Sequence, residues 1–197
     1  MEKHIKLPLS KDEAKKLRSG DTVLLSGMIY AARDAAHKRI SDKLDENGFP
    51  EDLSVISNTE LNELRKKAER ILPIKLEGNL IYYMGPSPAR PGKVIGSAGP
   101  TTAGRMDRYT PRLLDLGLAG TIGKGRRSED VIKGIRRNSS VYFAAVGGAG
   151  ALLSKCIISS EVIAYDDLGP EAIRRLEVED LPVIVVVDCE GNNLYMQ

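Results

Sequence analysis

A glycine-rich segment in the middle of the chain constrains the fold most. Residues 96–107 have the sequence Gly-Ser-Ala-Gly-Pro-Thr-Thr-Ala-Gly-Arg-Met-Asp, and residues 123–125 have the sequence Gly-Lys-Gly. The glycines and the proline shape a loop, while the two threonines, the arginine and the lysine supply hydrogen-bond donors. Such donors at the start of a helix or the end of a strand are typical of a site for a small anion. We therefore expect a fold that brings cationic and hydroxyl side chains to one exposed face.

Neither of two common phosphate-binding motifs is present. A Walker loop that ended at Lys124 would need glycine at position 118 and a hydroxyl at position 125, but the chain has Leu118 and Gly125 there. A second glycine cluster at 147–150 lacks the third glycine of a dinucleotide fingerprint, because Leu153 occupies that position. The sequence therefore disfavours a nucleotide as the ligand.

Length and charge exclude several classes of protein. A chain of 197 residues suits a single domain over 1–197, and 42% hydrophobic residues can form a sizeable core. A formal net charge of +2 is too small to indicate a nucleic-acid surface. The N-terminus has no secretory signal pattern, and the longest apolar run, 183–187, is far too short to span a membrane. We expect a cytoplasmic protein.

The two cysteines predict that this chain binds no metal. Cys156 and Cys189 form no Cys-x-x-Cys pair and have no histidine beside them. Both are flanked by apolar, strand-like residues, which favours structural thiols. A [4Fe–4S] cluster usually needs three or four thiolates, so this chain cannot hold one alone.

Strand and helix patterns alternate along the chain. Strands are predicted at 4–8, 22–30, 53–56, 80–84, 118–122, 141–146, 156–158, 162–165 and 183–188. Helices are predicted at 10–17, 33–47, 59–72 and 111–116, after Ser128, and at 147–154 and 171–176. No repeat or long linker divides them, so the sequence predicts a layered α/β domain.

Local signals refine this pattern. Ser10 and Glu13 form a capping box at a helix start, and Gly27 indicates a bulge within its strand. Two basic pairs, 126–127 and 136–137, are expected to be solvated or to lie at helix ends. On the helix at 33–47, Arg33 and His37 would lie one turn apart.

Four segments together resemble a known family. Residues 96–107, with the later Gly-Lys-Gly, closely resemble the C-terminal domain, or separate β subunit, of the iron–sulfur class I fumarases and the related tartrate dehydratases. The resemblance continues at Ala-Arg-Asp-Ala-Ala-His-Lys (32–38), Asp-Leu-Gly-Pro-Glu-Ala (167–172) and Val-Glu-Asp-Leu-Pro (178–182). It covers nearly the whole chain.

The resemblance implies a fold and an assembly. The fold would be a swivelling β/β/α domain of the class I fumarase C-terminal type. The activity would be a hydro-lyase reaction on a dicarboxylate, which depends on a [4Fe–4S] cluster acting as a Lewis acid. A partner α subunit would carry that cluster, in a hetero-oligomer with two copies of each subunit.

The resemblance also implies site residues. The substrate-binding positions would be Arg33, Thr101, Thr102, Arg105 and Lys124. Thr101 matches the threonine considered as the proton-abstracting group, with Lys124 as a second catalytic residue. A threonine hydroxyl is a weak base unless a cation or a water relay assists it, so the base remains open. His37 and Asp107 are further candidates.

Alternative roles exist for each of these features. Thr101 and Thr102 suit helix capping, His37 suits a half-buried structural position, and Arg105 suits an ion pair with Asp107 or Asp115. The substrate could be fumarate or tartrate, because both present two carboxylates to the same cations. A non-catalytic dicarboxylate-binding or assembly domain is a further alternative.

Overall fold

The computed structural model describes residues 3–146 and 148–196. The strands are β1 (Lys3–Lys6), β2 (Thr22–Ala31), β3 (Leu80–Tyr82), β4 (Gly120–Gly123), β5 (Val141–Ala144), β6 (Ile157–Ala164) and β7 (Ile173–Val187). The α-helices are α1 (Lys11–Ala14), α2 (Asp34–Glu46), α3 (Asn58–Ile71), α4 (Thr110–Asp115), α5 (Glu129–Asn138) and α6 (Gly150–Leu153). Short 3₁₀ turns lie at Ala103–Met106, Ser154–Cys156, Asp166–Glu171 and Leu194–Met196. The fold is a mixed α/β fold.

Five strands close into a barrel-like sheet. Strands β2, β3, β4 and β5 are parallel neighbours in that order, and β7 runs antiparallel to both β5 and β2. β1 extends the sheet beside the first half of β2, and β6 extends it beside the first half of β7. The long strands β2 and β7 pair with each other along one edge. Along its other edge β2 pairs with β1 and then β3, and β7 pairs with β6 and then β5.

The closed sheet separates two hydrophobic cores. Side chains alternate between the faces of a strand, so Ile29 of β2 lies in the inner core and Tyr30 lies in the outer one. The inner core contains Leu25, Leu80, Tyr82, Ile122, Phe143 and Val185. Helices α2 to α5 cover the outer face, where their apolar positions pack on the strands. At about 25 cal/mol per Å² of buried apolar surface, this burial is the main stabilising contribution.

Several sequence predictions are confirmed. Ser10 Oγ accepts the Glu13 N–H while the Glu13 carboxylate accepts the Ser10 N–H, so the capping box forms. Gly27 has a φ of 121°, and the pairing of β2 with β7 shifts register between Leu25 and Gly27, as expected of a bulge.

As a separate finding, the described residues contain no helix that is both long and apolar enough to cross a membrane.

Other predictions are wrong, mainly where tertiary pairing decides. The helix expected at 171–176 is instead the beginning of β7, whose residues pair with β2 on one side and β6 on the other. The strand expected at 53–56 is a turn, in which the Asp52 carboxylate accepts the Ser54 N–H at 2.8 Å. The two short strands expected after residue 156 form the single strand β6.

Two predicted helices are shorter than expected. The first helix ends at Ala14 rather than Leu17, and the helix at 147–154 is reduced to α6. Gly147, where the latter helix was expected to begin, lies outside the described residues.

Candidate functional site

Polar and cationic side chains follow the carboxyl ends of neighbouring parallel strands. Arg33 follows β2, the 83–106 segment follows β3, and Lys124 follows β4. Parallel strands end at the same edge of a sheet, which is where ligands bind in open α/β sheets. The topology therefore brings these segments to one edge.

Thr101 and Thr102 extend the sheet between the ends of β3 and β4. The Thr101 N–H donates to the Tyr83 carbonyl at 2.7 Å, and the Thr101 carbonyl accepts the Lys124 N–H at 3.1 Å. The Ala103 N–H donates to the Lys124 carbonyl at 2.8 Å, which makes Thr102 and Lys124 directly paired neighbours. Both are exposed, and the Thr102 side chain makes no capping hydrogen bond to the 3₁₀ turn that it precedes.

A glycine allows this close approach. A Cβ on Gly123 would lie 3.0 Å from the Ala103 Cβ and 3.2 Å from Tyr83 Cδ2, tighter than nearly all real contacts. Gly123 therefore lets the threonine segment reach Lys124 without displacing Tyr83. The first glycine of the Gly-Lys-Gly motif is thus required for packing.

The second glycine cluster packs under the site loop. The Ala98 N–H donates to the Gly150 carbonyl at 3.0 Å, and a Cβ on Gly150 would lie 2.4 Å from Ser97 Oγ and 2.8 Å from the Gly99 nitrogen. Gly150, which belongs to the glycine cluster that lacks a dinucleotide fingerprint, therefore supports the loop at 96–104. Sequence reasoning did not find this contact.

Arg33 and Arg105 meet at one carboxylate. Arg105 Nε lies 2.8 Å from Asp34 Oδ1, and Arg33 Nε lies 3.9 Å from Asp34 Oδ2. The Glu171 carboxylate lies 3.3 Å from Arg33 Nη2 and accepts the Ala35 N–H at 2.9 Å, at the start of α2. The ion pair predicted for Arg105 with Asp107 or Asp115 is thus with Asp34. Sequence reasoning missed both Asp34 and Glu171, although each lies in a family-like segment.

Two atoms of this cluster are buried without a hydrogen-bond partner among the described residues. They are Arg33 Nε and Asp34 Oδ2, which face each other across 3.9 Å. Arg33 packs against Gly85, where a Cβ would lie 3.0 Å from its Cδ and Nη1. A buried polar atom without a hydrogen-bond partner costs free energy. A polar group that formed hydrogen bonds with these two atoms would therefore be bound favourably here.

His37 lies beneath this cluster and is fully buried. Its Nδ1 is 2.8 Å from the Arg33 carbonyl, which only accepts hydrogen bonds, so Nδ1 carries the proton and Nε2 is an acceptor. Burial lowers the pKa of His37 to about 4, and the Arg33 carbonyl and Asp34 offset this only in part. The His37 ring packs against the Tyr83 ring in a T-shaped arrangement, with the ring centroids 5.2 Å apart. His37 therefore supports Arg33 as a neutral side chain, one turn away from it.

His37 Nε2 and Arg112 Nε both lack a hydrogen-bond partner among the described residues. Both residues line one small cavity of about 10 Å³, close to the smallest volume that holds a water molecule. An acceptor and a donor at the same cavity fit one bridging water.

Asp107 belongs to a buried network rather than to the exposed face. Its carboxylate accepts Arg127 Nε–H at 2.7 Å and the Ser128 N–H at 2.5 Å. Arg127 also donates to Thr110 and Thr121 and stacks on Tyr83 and Tyr142. Arg127 was predicted to be solvated or to lie in a last helical turn, but its side chain is completely buried and it precedes the N-cap of α5.

The cations on the exposed face are only partly neutralised. Asp34 and Glu171 balance the charges of Arg33 and Arg105. Lys124 is exposed and, over residues 3–146 and 148–196, has no carboxylate within salt-bridge distance. One lysine and two hydroxyls are thus free to meet an anion. A cavity of about 780 Å³ beside α2 and α4 contains none of these groups.

The described part of the chain does not fit an iron–sulfur cluster. Among its residues, no group of three or more His, Cys, Asp or Glu side chains is placed to hold a metal. Cys189 is buried and Cys156 is half-buried, and burial raises the pKa of both thiols. Cys156 directly precedes β6, whereas Cys189 follows the far end of β7, well past Val178, which pairs with Ile157.

Comparisons with known proteins agree on one family. The model of the family described as Fumarase C-terminus matches residues 1–61 and 56–197. The chain is 36% identical over 178 residues to "Fumarate hydratase 2" of Leishmania major, and 35% identical over 175 residues to "Fumarate hydratase class I, aerobic" of Escherichia coli K12. These matches cover 89% and 88% of this chain but only 28% of each relative.

A third relative is similar over most of its own length. The "Putative L(+)-tartrate dehydratase subunit beta" of Methanocaldococcus jannaschii is 34% identical over 193 residues, which is 95% of this chain and 88% of that protein. The chain therefore spans about a quarter of the fumarate hydratases it matches, and most of this β subunit.

Proposed function

The chain belongs to the fumarase C-terminal family, and on this premise we propose that it is the β subunit of a two-subunit iron–sulfur hydro-lyase that interconverts fumarate and malate. Fumarate hydratases and a tartrate dehydratase β subunit are both among its relatives. Two observations support the proposal: Arg33 and Arg105 both approach Asp34, and Thr102, three residues before Arg105, pairs with Lys124 through the backbone.

The proposed roles follow from the donors that each residue offers. Arg33 and Arg105 would bind substrate carboxylates, since a guanidinium can donate two parallel hydrogen bonds to a carboxylate. Thr101 and Thr102 would add neutral donors, and Lys124 would offset charge that develops during proton transfer. Thr101 would act as base only with Lys124 close enough to stabilise an alkoxide, so we propose the Thr101–Lys124 pair as the catalytic unit.

The charge count favours a site that is completed by another polypeptide. Asp34 and Glu171 already neutralise both arginines, which leaves Lys124 as the one uncompensated cation of this cluster among the described residues. A dicarboxylate carries two negative charges, so further positive charge must come from elsewhere. We propose that the α subunit supplies it together with the [4Fe–4S] cluster, for which this chain has no suitable ligand set.

Further features of the proposal concern the assembly. We propose a single domain over 1–197 of the swivelling β/β/α type, because a parallel sheet, an antiparallel extension and a helical layer are all present. We also propose a hetero-oligomer with two copies of each subunit. A cytoplasmic location stays a prediction.

Anaerobic reconstitution tests the proposed function. The chain would be mixed with a cluster-loaded α subunit from the same source, and fumarate loss would be followed at 240 nm. We expect hydration of fumarate by the mixture and none by this chain alone. A cluster-loaded mixture that forms a complex but turns over neither fumarate nor malate would contradict the proposal.

Tartrate dehydration is the second candidate. It is favoured by the β subunit from Methanocaldococcus jannaschii, which matches this chain over nearly its full length. The same mixture assayed with L(+)-tartrate separates the two, since the larger kcat/KM identifies the substrate.

A non-catalytic dicarboxylate sensor is the remaining alternative. Calorimetry with fumarate and this chain alone tests it. We expect weak binding without the α subunit, whereas tight binding by the isolated chain would favour the sensor.

A further inference from the structure

Exposed apolar side chains lie in two segments beside the site loop. Residues of segments 87–97 and 151–157 line one open cavity of about 640 Å³, and Gly96 and Ser97 of the site loop are among them. Val94 at this cavity and Leu152 and Ile158 in the flanking segments are all at least half exposed. Clustered exposed apolar groups mark interaction sites, whereas scattered ones are ordinary.

The charged side chains that line this cavity all have one sign. Arg90, Lys93 and Lys155 line it, and no Asp or Glu is among the residues that line it. Elsewhere on the described surface many cations are paired, as in Lys38 with Asp42 and Lys66 with Glu63. A surface that combines exposed apolar side chains with unpaired cations is complementary to an apolar surface that carries carboxylates.

The surface is held rigid and is connected to the site. The Ser87 N–H donates to the Ser97 carbonyl at 3.1 Å, and the Ser97 N–H donates to Ser87 Oγ at 2.9 Å. Gly96 packs so closely that a Cβ would lie 2.1 Å from the Ser87 carbonyl oxygen. A partner seated here would therefore lie next to the loop that carries Thr101 and Arg105, without first having to order it.

We propose that this surface, formed by Arg90, Lys93, Val94, Leu152 and Lys155, docks the α subunit through an apolar patch with carboxylates at its rim. This inference rests on the proposed function. It states where the α subunit, which would complete the active site, binds this chain. Docking here places the α subunit against the carboxyl edge of the sheet, where the charge of the substrate is incompletely balanced by this chain. The cations of this surface also speed the encounter of the two subunits by electrostatic attraction.

Charge reversal tests the docking surface. The triple variant Arg90→Glu, Lys93→Glu, Lys155→Glu is compared with Lys43→Glu, Lys66→Glu, Arg70→Glu, which makes the same change in net charge on α2 and α3. All six residues are exposed. Affinity for the cluster-loaded α subunit is measured by sedimentation at 50 and 300 mM NaCl. Circular dichroism checks that each variant is folded.

We expect the first triple variant to raise the Kd at least tenfold, and the control to change it less than threefold. Excess α subunit should restore the activity of the first variant, because the catalytic residues are intact. Raising the salt concentration should weaken the wild-type complex and narrow the difference between wild type and the first variant.

Three other outcomes would overturn the inference. If the wild-type complex is active but both variants bind equally well, docking lies elsewhere and the proposed function stands. If the Kd is unchanged and the KM for fumarate rises, the three cations serve the substrate instead. If the wild-type chain binds no α subunit, the inference fails together with the proposed function.

Discussion

Two arginines that look alike in the sequence have opposite environments in the structure. The Arg105 side chain is 49% exposed and is held by Asp34 on the carboxyl edge, whereas the Arg127 side chain is completely buried against Asp107. For Arg127, burial alone would lower the pKa, but Tyr83 and Asp107 more than offset this and raise it. One arginine is therefore available to a ligand, and the other holds the loop to the barrel.

Alanine substitutions should separate these roles. Arg105→Ala should reduce turnover by the reconstituted enzyme at least 100-fold, while the free energy of unfolding changes by less than about 1 kcal/mol, because an exposed ion pair contributes little. Arg127→Ala should lower the free energy of unfolding by about 3–5 kcal/mol, because it leaves the Asp107 charge buried and unpaired. Urea unfolding and fumarate assays check both. A large stability loss in Arg105→Ala would assign that residue to the scaffold.

His37 should make stability depend on pH. The unfolded chain binds a proton near the ordinary pKa of 6.5, but the folded chain excludes it until about pH 4. The free energy of unfolding should therefore fall as the pH is lowered from 6.5 towards 4, by about 3 kcal/mol in total from this residue, and should not depend on it at higher pH.

Urea unfolding between pH 7.5 and 4.5 measures this effect. His37→Gln should lose the His37 contribution to the slope, whereas the control His4→Gln should keep it, because His4 is 67% exposed. Equal slopes in the wild type and in His37→Gln would show that the folded protein accommodates the charged imidazole.

At the scale of elements, the site depends on two loops that pack backbone to backbone. The loop after β3 approaches the start of α6 at Gly99 and Gly150, and the threonine segment approaches β4 at Gly123. None of these three glycines has a φ in the left-handed region, so Gly123 and Gly150 are needed for space rather than for backbone freedom. The loop geometry at the site is thus set by contacts between elements.

Replacing Gly150 by alanine should impair the protein more than replacing Gly99 by alanine. Gly150→Ala should raise the KM for fumarate about tenfold and destabilise the fold by about 1–3 kcal/mol, because its Cβ would lie 2.4 Å from Ser97 Oγ and 2.8 Å from the Gly99 nitrogen. Gly99→Ala is the matched control, since its Cβ would lie 3.5 Å from the Gly150 Cα, an ordinary contact distance. Steady-state kinetics and thermal unfolding check both variants. Equal effects would mean that the loop adjusts freely.

At the scale of the whole molecule, β7 joins the two ends of the parallel sheet. Its residues pair with β2 along nearly its whole length, with β6 over its first half and with β5 over its last residues. Because closure removes exposed strand edges, the barrel holds the ends of β2, β3 and β4 in fixed relative positions. The site is therefore built on the rigid part of the molecule.

Hydrogen exchange should reveal this role of β7. Amide protons of Val183 and Val185 should exchange only on global unfolding, because the strand is paired on both sides and its side chains are in the inner core. Amides of β1 and β6, which pair with a single strand, should exchange faster. Mass spectrometry with peptide resolution measures this. Exchange of β7 as fast as that of β6 would show that the barrel opens locally.

Part of the fold and site was accessible from the sequence. The strands and helices with strong periodicity, the capping box at Ser10 and the bulge at Gly27 were predicted correctly, because short-range interactions determine them. The loop at 96–107 and Lys124 were placed together on one edge, as parallel strands require. The start of β7 was misread as a helix, because only pairing with β2 and β6 makes it a strand.

The sequence by itself determined the alternation of elements, the hydroxyl and cationic side chains of the loop and the family, because these depend on residue type and spacing along the chain. Only the tertiary structure decided that Asp34 holds Arg105, that Arg127 is buried, and that the two glycine clusters pack together. The physical reason is sequence separation. These contacts join residues that are far apart in the chain. Which residues meet depends on how the barrel closes and on the space that remains after the core is packed.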